Sequence, residues 1–187
     1  MTRANRDWID PNYLLEGKPS GLLTSNIPRI MGTGNLAALT TQVMTTVALP
    51  LQAGDVVTSL TFVSATTAAN TPTNWWYALY SPAGALLAQT ADQTNGAWAA
   101  NTAKKLALAT PQLITEAGVY YAGIMVKAST VPTLVGVTLH NAVEAGDIAT
   151  LGYKVLAQTS DSSLTATAPA TIGTATTIAV VPMVIAS

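Results

Sequence analysis

Apolar side chains recur at every second position along most of this chain, in short runs rich in Thr and Val and bounded by clusters of Gly, Pro, Asn and Asp. A period of two marks a strand with one face buried. Residues 42–49 alternate with Val43, Val47 and Leu49 on one face, and 56–64 with Val56, Leu60 and Phe62. Residues 104–109 point Leu106 and Leu108 inward and Lys105 outward; 119–128 point Tyr120, Ala122, Ile124 and Val126 inward and Lys127 outward; 134–140 point Val135, Val137 and Leu139 inward. Further runs cover 151–157 and 172–185, and Pro182 in the last of them has no N–H for a ladder, which predicts an edge or a bulge there. No run longer than about eight residues carries a 3.6 period. The pattern predicts an all-β domain over 36–187: an antiparallel, jelly-roll-like β-sandwich of about eight strands.

Residues 74–90 are the centre of that prediction. Two aromatic and aliphatic runs flank Ser81-Pro82-Ala83-Gly84, where Pro82 presets the φ of a turn and Gly84 takes a positive φ at little cost, so the stretch reads as a hairpin. Its first strand is apolar on both faces, with Trp75, Tyr77 and Leu79 on one side and Trp76, Ala78 and Tyr80 on the other. A sandwich buries one such face between its sheets. The other needs a cover, for which a neighbouring subunit is one candidate.

Residues 1–35 differ in kind, being the most charged part of the chain and lacking a period-2 run. They read as an arm. Asp10 as N-cap, Pro11 at the first helical position and Gly17 as the stop predict a short helix over 10–17, too short to stand alone. Trp8, Ile9, Tyr13, Leu14 and Leu15 give it an apolar surface with which to dock on a partner. Elsewhere 52–55, 116–118 and 144–147 repeat a Gln/Glu-Ala-Gly turn before a strand, at unequal spacings, and 159–171, dominated by Thr, Ala and Ser, reads as a long exposed loop or loosely paired hairpin.

Charged residues make up 9% of the chain, against about 25% in ordinary soluble proteins. A neutral, hydroxyl-rich surface suits packed assemblies. The net charge is −1 with no basic patch, so nucleic acid is not an expected partner. The absence of cysteine rules out disulfides, thiolate metal sites and a cysteine nucleophile. The first residues lack a secretory pattern, since Trp8-Ile9 runs straight into Asp10-Pro11, and no run approaches the roughly 20 apolar residues of a membrane span.

Candidate chemistry is sparse. His140 is the one histidine; it falls on the outward parity, and a histidine without a nucleophile and an orienting acid makes no triad. Asp55, Asp92, Glu116, Glu144, Asp147 and Asp161 sit mostly beside glycines in turns, where a facing glycosidase pair is not expected, and no D-x-D-x-D loop offers calcium ligands. The reading is a protein that is not an enzyme and needs no metal or cofactor. The outward rings Trp76, Tyr80 and Tyr121 read as a subunit contact, with a platform for sugar rings as the competing role.

Three stretches, V-T-S-L-T-F-V-S-A-T-T-A at 57–68, T-P-T-N-W-W-Y-A-L-Y-S-P-A-G-A-L-L-A-Q-T-A-D-Q at 71–93 and E-A-G-V-Y-Y-A-G-I-M-V at 116–126, resemble small β-sandwich virion proteins of tailed bacteriophages. The resemblance covers about 36–140 and leaves out the arm. In actinobacterial phages such proteins tend to be called minor tail proteins, and similar sandwiches decorate capsids. The resemblance therefore implies a virion structural subunit assembled in the bacterial cytoplasm. Other virion proteins, further copies of itself (a trimer among the options) and a host-surface glycan would be its partners. It carries no site residues over, because the shared motifs are hairpins and strands. A carbohydrate-binding module is the alternative from another class.

Overall fold

The computed structural model describes residues 23–141, 143, 146 and 152–187. The helix expected at 10–17, the arm residues Trp8, Ile9, Tyr13, Leu14 and Leu15, and the turn residues Glu144 and Asp147 lie outside the described residues. What is described is nearly all β. The strands are β1 (Thr24–Ser25), β2 (Met44–Leu51), β3 (Val56–Val63), β4 (Asn74–Tyr80), β5 (Leu86–Gln89), β6 (Ala103–Leu113), β7 (Gly118–Lys127), β8 (Gly136–Thr138), β9 (Ala157–Ser160), β10 (Ala175–Thr177), β11 (Val180–Pro182) and β12 (Val184–Ala186), with one 3-10 turn at Arg29–Met31.

The strands form an antiparallel β-sandwich. One sheet runs β10-β9-β2-β7-β4-β5, the other β1-β12-β3-β6, and β11 pairs with β8 beside them. The layer between the sheets takes Val47, Leu49, Trp75, Tyr77, Tyr120 and Ile124 from the six-stranded side and Val57, Leu60, Phe62 and Val184 from the four-stranded side. The Phe62 and Tyr77 rings meet across it with centroids 4.8 Å apart. Trp98 stacks on Trp75 at 5.1 Å and donates its Nε1–H to the Thr102 carbonyl at 3.1 Å, so the largest rings interlock and keep their polar tips satisfied.

Period-2 phasing holds for β2, β4 and β7, slips in β3, and along 134–140 puts the deeper burial on the opposite parity. Val56 is 44% exposed while Val57 is buried, at the point where the β3–β6 register shifts: Val57 pairs with Gln112 and Ser59 with Ala107, so residues 108–111 of β6 bulge against the single Thr58 of β3. Thr58 is held in the bulge by Ser187, whose carbonyl accepts both its N–H (2.7 Å) and its Oγ1–H (2.8 Å). Along 134–140, Val135, Val137 and Leu139 are packed partly against the core, and Leu134 and Gly136 are the more deeply buried. At Pro182 the chain changes sheets: β11 pairs with β8, and after Met183 the next strand joins the four-stranded sheet. A residue without an N–H marks that corner.

The β4–β5 hairpin closes as expected. Gly84 has φ of +81° and donates its N–H to the Ser81 carbonyl at 2.9 Å, while Ser81 N–H reaches the Ala85 carbonyl at 2.8 Å. That is a three-residue loop with glycine in the left-handed position.

The sandwich takes in residues that the sequence assigned to the arm. β1 pairs with β12, Thr24 opposite Ala186 and Ser25 opposite Ile185. Asn26 donates Nδ2–H to the Pro182 carbonyl (2.9 Å) and accepts the Val184 N–H at Oδ1 (2.8 Å), and Ile27 is buried in the core. The folded body therefore begins by Leu23, not at 36, because backbone pairing and one buried side chain suffice to fasten a segment that has no period of its own.

Candidate functional surfaces

Trp76, Tyr80 and Tyr121 do lie together on the outer face of the six-stranded sheet, but they are not a surface. Trp76 and Tyr80 have no exposure and Tyr121 only 7%. They form a second apolar layer with Met44, Ala48, Ala78, Met125 and Ala168, flanked by Leu86, Val119, Leu164 and Ile172. The cover is the chain's own segment 161–173, most of which falls in the stretch 159–171 expected to be an exposed loop or loosely paired hairpin. The rings expected to meet a neighbouring subunit or a sugar are covered by the chain itself.

The strap is tied down along its whole length. Asp161 starts it in the left-handed region (φ 58°) and accepts the Gly173 N–H at 3.2 Å, closing the two ends on each other. Leu164 exchanges bonds with Gln42, its N–H reaching the Gln42 carbonyl (3.0 Å) and its carbonyl accepting Gln42 Nε2–H (3.2 Å). Trp76 Nε1–H donates to the Thr165 carbonyl at 2.7 Å and the Tyr80 hydroxyl to the Pro169 carbonyl at 3.1 Å. Gln89 uses both ends of its amide, donating to the Ala166 carbonyl and accepting from Ala168 N–H, each at 2.7 Å. Leu86 N–H reaches the Ala170 carbonyl and Ile172 N–H the Gly84 carbonyl, each at 2.9 Å. The polar tips of Trp76 and Tyr80 are spent on strap carbonyls.

The carboxylates of Asp55, Asp92 and Asp161 hold turns. Asp55 is buried and accepts the Gln52 N–H at Oδ2 (2.8 Å). Asp92 accepts from Asn74 Nδ2–H (2.6 Å), Trp75 N–H (2.9 Å) and Thr94 N–H (3.3 Å), pinning the start of β4 to the loop after β5. Glu116 contributes its backbone carbonyl to the Tyr120 hydroxyl at 3.0 Å. Asp161 closes the strap. His140 is exposed on a bend after β8. Among the described residues no group of three His, Cys, Asp or Glu side chains could hold a metal ion, and no helix is long and apolar enough to cross a membrane.

Two perturbed groups are core phenols. Burial raises Tyr77 well above its ordinary value of 10.0, and burial first, then the charge of Asp161, raises Tyr80. Four buried hydroxyls, on Thr46, Ser59, Tyr77 and Ser160, find no hydrogen-bond partner.

Apolar side chains remain exposed at a few places among the described residues. A pocket of about 150 Å³ is lined by Leu36, Leu39, Leu134, Ile178, Val180 and Pro182 with Thr40, Thr45 and Thr159. Ile30 and Met31 stand out from the 3-10 turn at 69% and 61% exposure. Val56 and Leu113, opposite each other on β3 and β6, are a second exposed pair. Tyr153 is the described aromatic residue that is largely exposed.

No protein-family model and no curated protein matches this chain.

Proposed function

We propose that the chain is a non-enzymatic structural subunit of a tailed-bacteriophage virion, most closely a minor tail protein, whose sandwich is jelly-roll-like and which joins its assembly, as a homo-oligomer beside other virion proteins, through the apolar segment that precedes Leu23. One observation carries the reading: both faces of β4 are covered within the chain, the inner by the second sheet and the outer by the strap. A body closed in this way has no further need of Trp8, Ile9, Tyr13, Leu14 and Leu15 as filling. The carboxylates of Asp55, Asp92 and Asp161 are engaged in turns, and the neutral surface fits close packing beside other copies.

A glycan platform built on Trp76, Tyr80 and Tyr121 has lost its rings to the strap. Capsid decoration would use the same arm and the same closed body. The test is to purify particles of the phage that encodes the chain, identify the protein in them by mass spectrometry, and locate it by gold-labelled antibody. Label at the tail tip is the expected result, label over the head makes it a decoration protein, and absence from particles ends the virion reading.

A further inference from the structure

Two of the four buried hydroxyls that lack a partner, those of Thr46 and Ser160, are neighbours. Ser160, the last residue of β9, lies opposite Met44 on β2, and Thr46 lies opposite Gln158, so Thr46 and Ser160 stand on a diagonal of one ladder. Both are on the outer face of the sheet. Met44 and Ala48, on either side of Thr46 along that face, belong to the layer under the strap, whereas Val47 and Ala157, themselves opposite each other, belong to the inner core. Thr46 has no exposure and Ser160 only 4%. Buried hydroxyls are as a rule bonded to protein or to ordered water.

The space between the two is kept clear. Met44 sends its side chain the other way, over β7: its Sδ comes within 3.2 Å of where a Cβ on Gly123 would stand and lies 3.2 Å from the Tyr80 hydroxyl. Gly123 is the partner of Thr46 on β7 and Ala175 the partner of Ser160 on β10, so small residues flank the diagonal on both sides. Cβ atoms so related are about 7 Å apart. An oxygen on each brings the gap to roughly the 5.6 Å that one molecule spans with two hydrogen bonds of about 2.8 Å.

We infer that a water molecule is bound under the strap, bridging Thr46 Oγ1 and Ser160 Oγ. The chemistry selects water: both hydroxyls donate and accept, and neither is charged. The half-buried Gln158, opposite Thr46 on the same face and two residues before Ser160, supplies from its amide the third bond that buried waters usually make. A calcium ion takes about six to eight oxygens, more than two hydroxyls and an amide make up. Ser160 immediately precedes Asp161, where the strap departs and is closed on Gly173, so the water ties the neck of the strap to β2.

The test uses the full-length chain with Thr46→Val, with Ser160→Ala and with both. A hydroxyl left without any partner is replaced by an apolar group at no cost or with a gain. With the water in place each replacement removes a bond, and the folding equilibrium constant from urea titration is expected to fall about two- to tenfold for each. Because both bonds go to one molecule, the double substitution should cost less than the product of the single effects. A single variant as stable as the unaltered chain overturns the inference, and so does a double variant that shows the full product. Oxygen-17 relaxation of the solvent, which counts waters held for longer than the protein takes to tumble, reads the site independently of stability. The unaltered chain is expected to hold one more such water than the double variant, and equal numbers overturn the inference. In crystals of the unaltered chain, density about 2.8 Å from both oxygens is expected, and the two hydroxyls bonded directly to each other would overturn it.

Discussion

Tyr77 shows how a single residue can serve packing at the expense of its own chemistry. Its ring contacts Phe62, Trp75 and Trp98, with centroids 4.8, 6.0 and 6.0 Å away, while its hydroxyl is buried without a partner. An unmade hydrogen bond of that kind costs about 1 to 3 kcal/mol. Tyr77→Phe is therefore expected to hold or raise stability by up to about that amount, measured by urea denaturation at pH 7. The raised phenol pKa gives a second readout. A group whose native pKa lies above its unfolded value of 10.0 stays protonated in the fold after the unfolded chain has lost the proton. Stability is then fully present below about pH 10 and falls as pH rises above it, by about 1.4 kcal/mol per pH unit for each such group. Tyr77 and Tyr80 both contribute, so Tyr77→Phe should make the alkaline slope shallower, and an unchanged slope would contradict the burial assignment. Gly136 is constrained by space instead. A Cβ there would press on the Val181 carbonyl and lie 2.8 Å from Pro182 Cα. Gly136→Ala should cost about 3 kcal/mol or more in denaturant titration, at the top of the overpacking range, because backbone cannot yield as a side chain does.

At the scale of elements, the sequence was most readable where a strand is long and one-sided and least where an element is held by its neighbours' backbone. β2 and β7 declared their faces through Val47, Leu49, Tyr120, Ala122 and Ile124. Val56 misled because the register shift beside it, residues 108–111 of β6 against Thr58 of β3, leaves no trace in the alternation of 56–64. The strap was opaque for a different reason. Its Thr, Ala and Ser residues have no period, and most of its ties are its own backbone groups meeting Gln42, Trp76, Tyr80 and Gln89. Only the two-sided apolar pattern of β4 announced that some cover had to exist. Gln89 is the most economical probe, since its amide makes two bonds to the strap at 2.7 Å. Gln89→Ala should lower stability by about 1 to 2 kcal/mol and speed amide hydrogen exchange in 164–170 well before the rest of the sheet. Exchange that accelerates only with global unfolding would show the strap and sheet to be one cooperative unit.

For the whole molecule, the boundary that matters is Leu23. The sequence set it at 36 on a change of composition, but a two-residue strand and the Asn26 and Ile27 anchors carry no such change. A chain that starts at Leu23 is expected to keep the melting temperature of the full chain to within a few degrees. A chain that starts at Leu36 loses Ile27, the Asn26 bonds to Pro182 and Val184, and the cover of the β12 edge. It should melt about 4 to 12 °C lower, from a loss of about 2 to 3 kcal/mol in a domain where each costs roughly 2 to 4 °C. Equal melting of the two truncations would return residues 23–35 to the arm.

The strand order β1-β12-β3-β6 also sets a timetable. β12 lies between two strands that are translated long before it, and Val184 and Asn26, which bond to each other, are 158 positions apart. At about 5 to 20 residues per second the ribosome takes roughly 8 to 30 seconds to cover that distance. Throughout that interval the nascent four-stranded sheet has an open slot, with the backbone groups of β3 facing it unpaired. During synthesis such a slot is a template for any extended segment nearby, including β12 from a chain finished earlier on the same messenger.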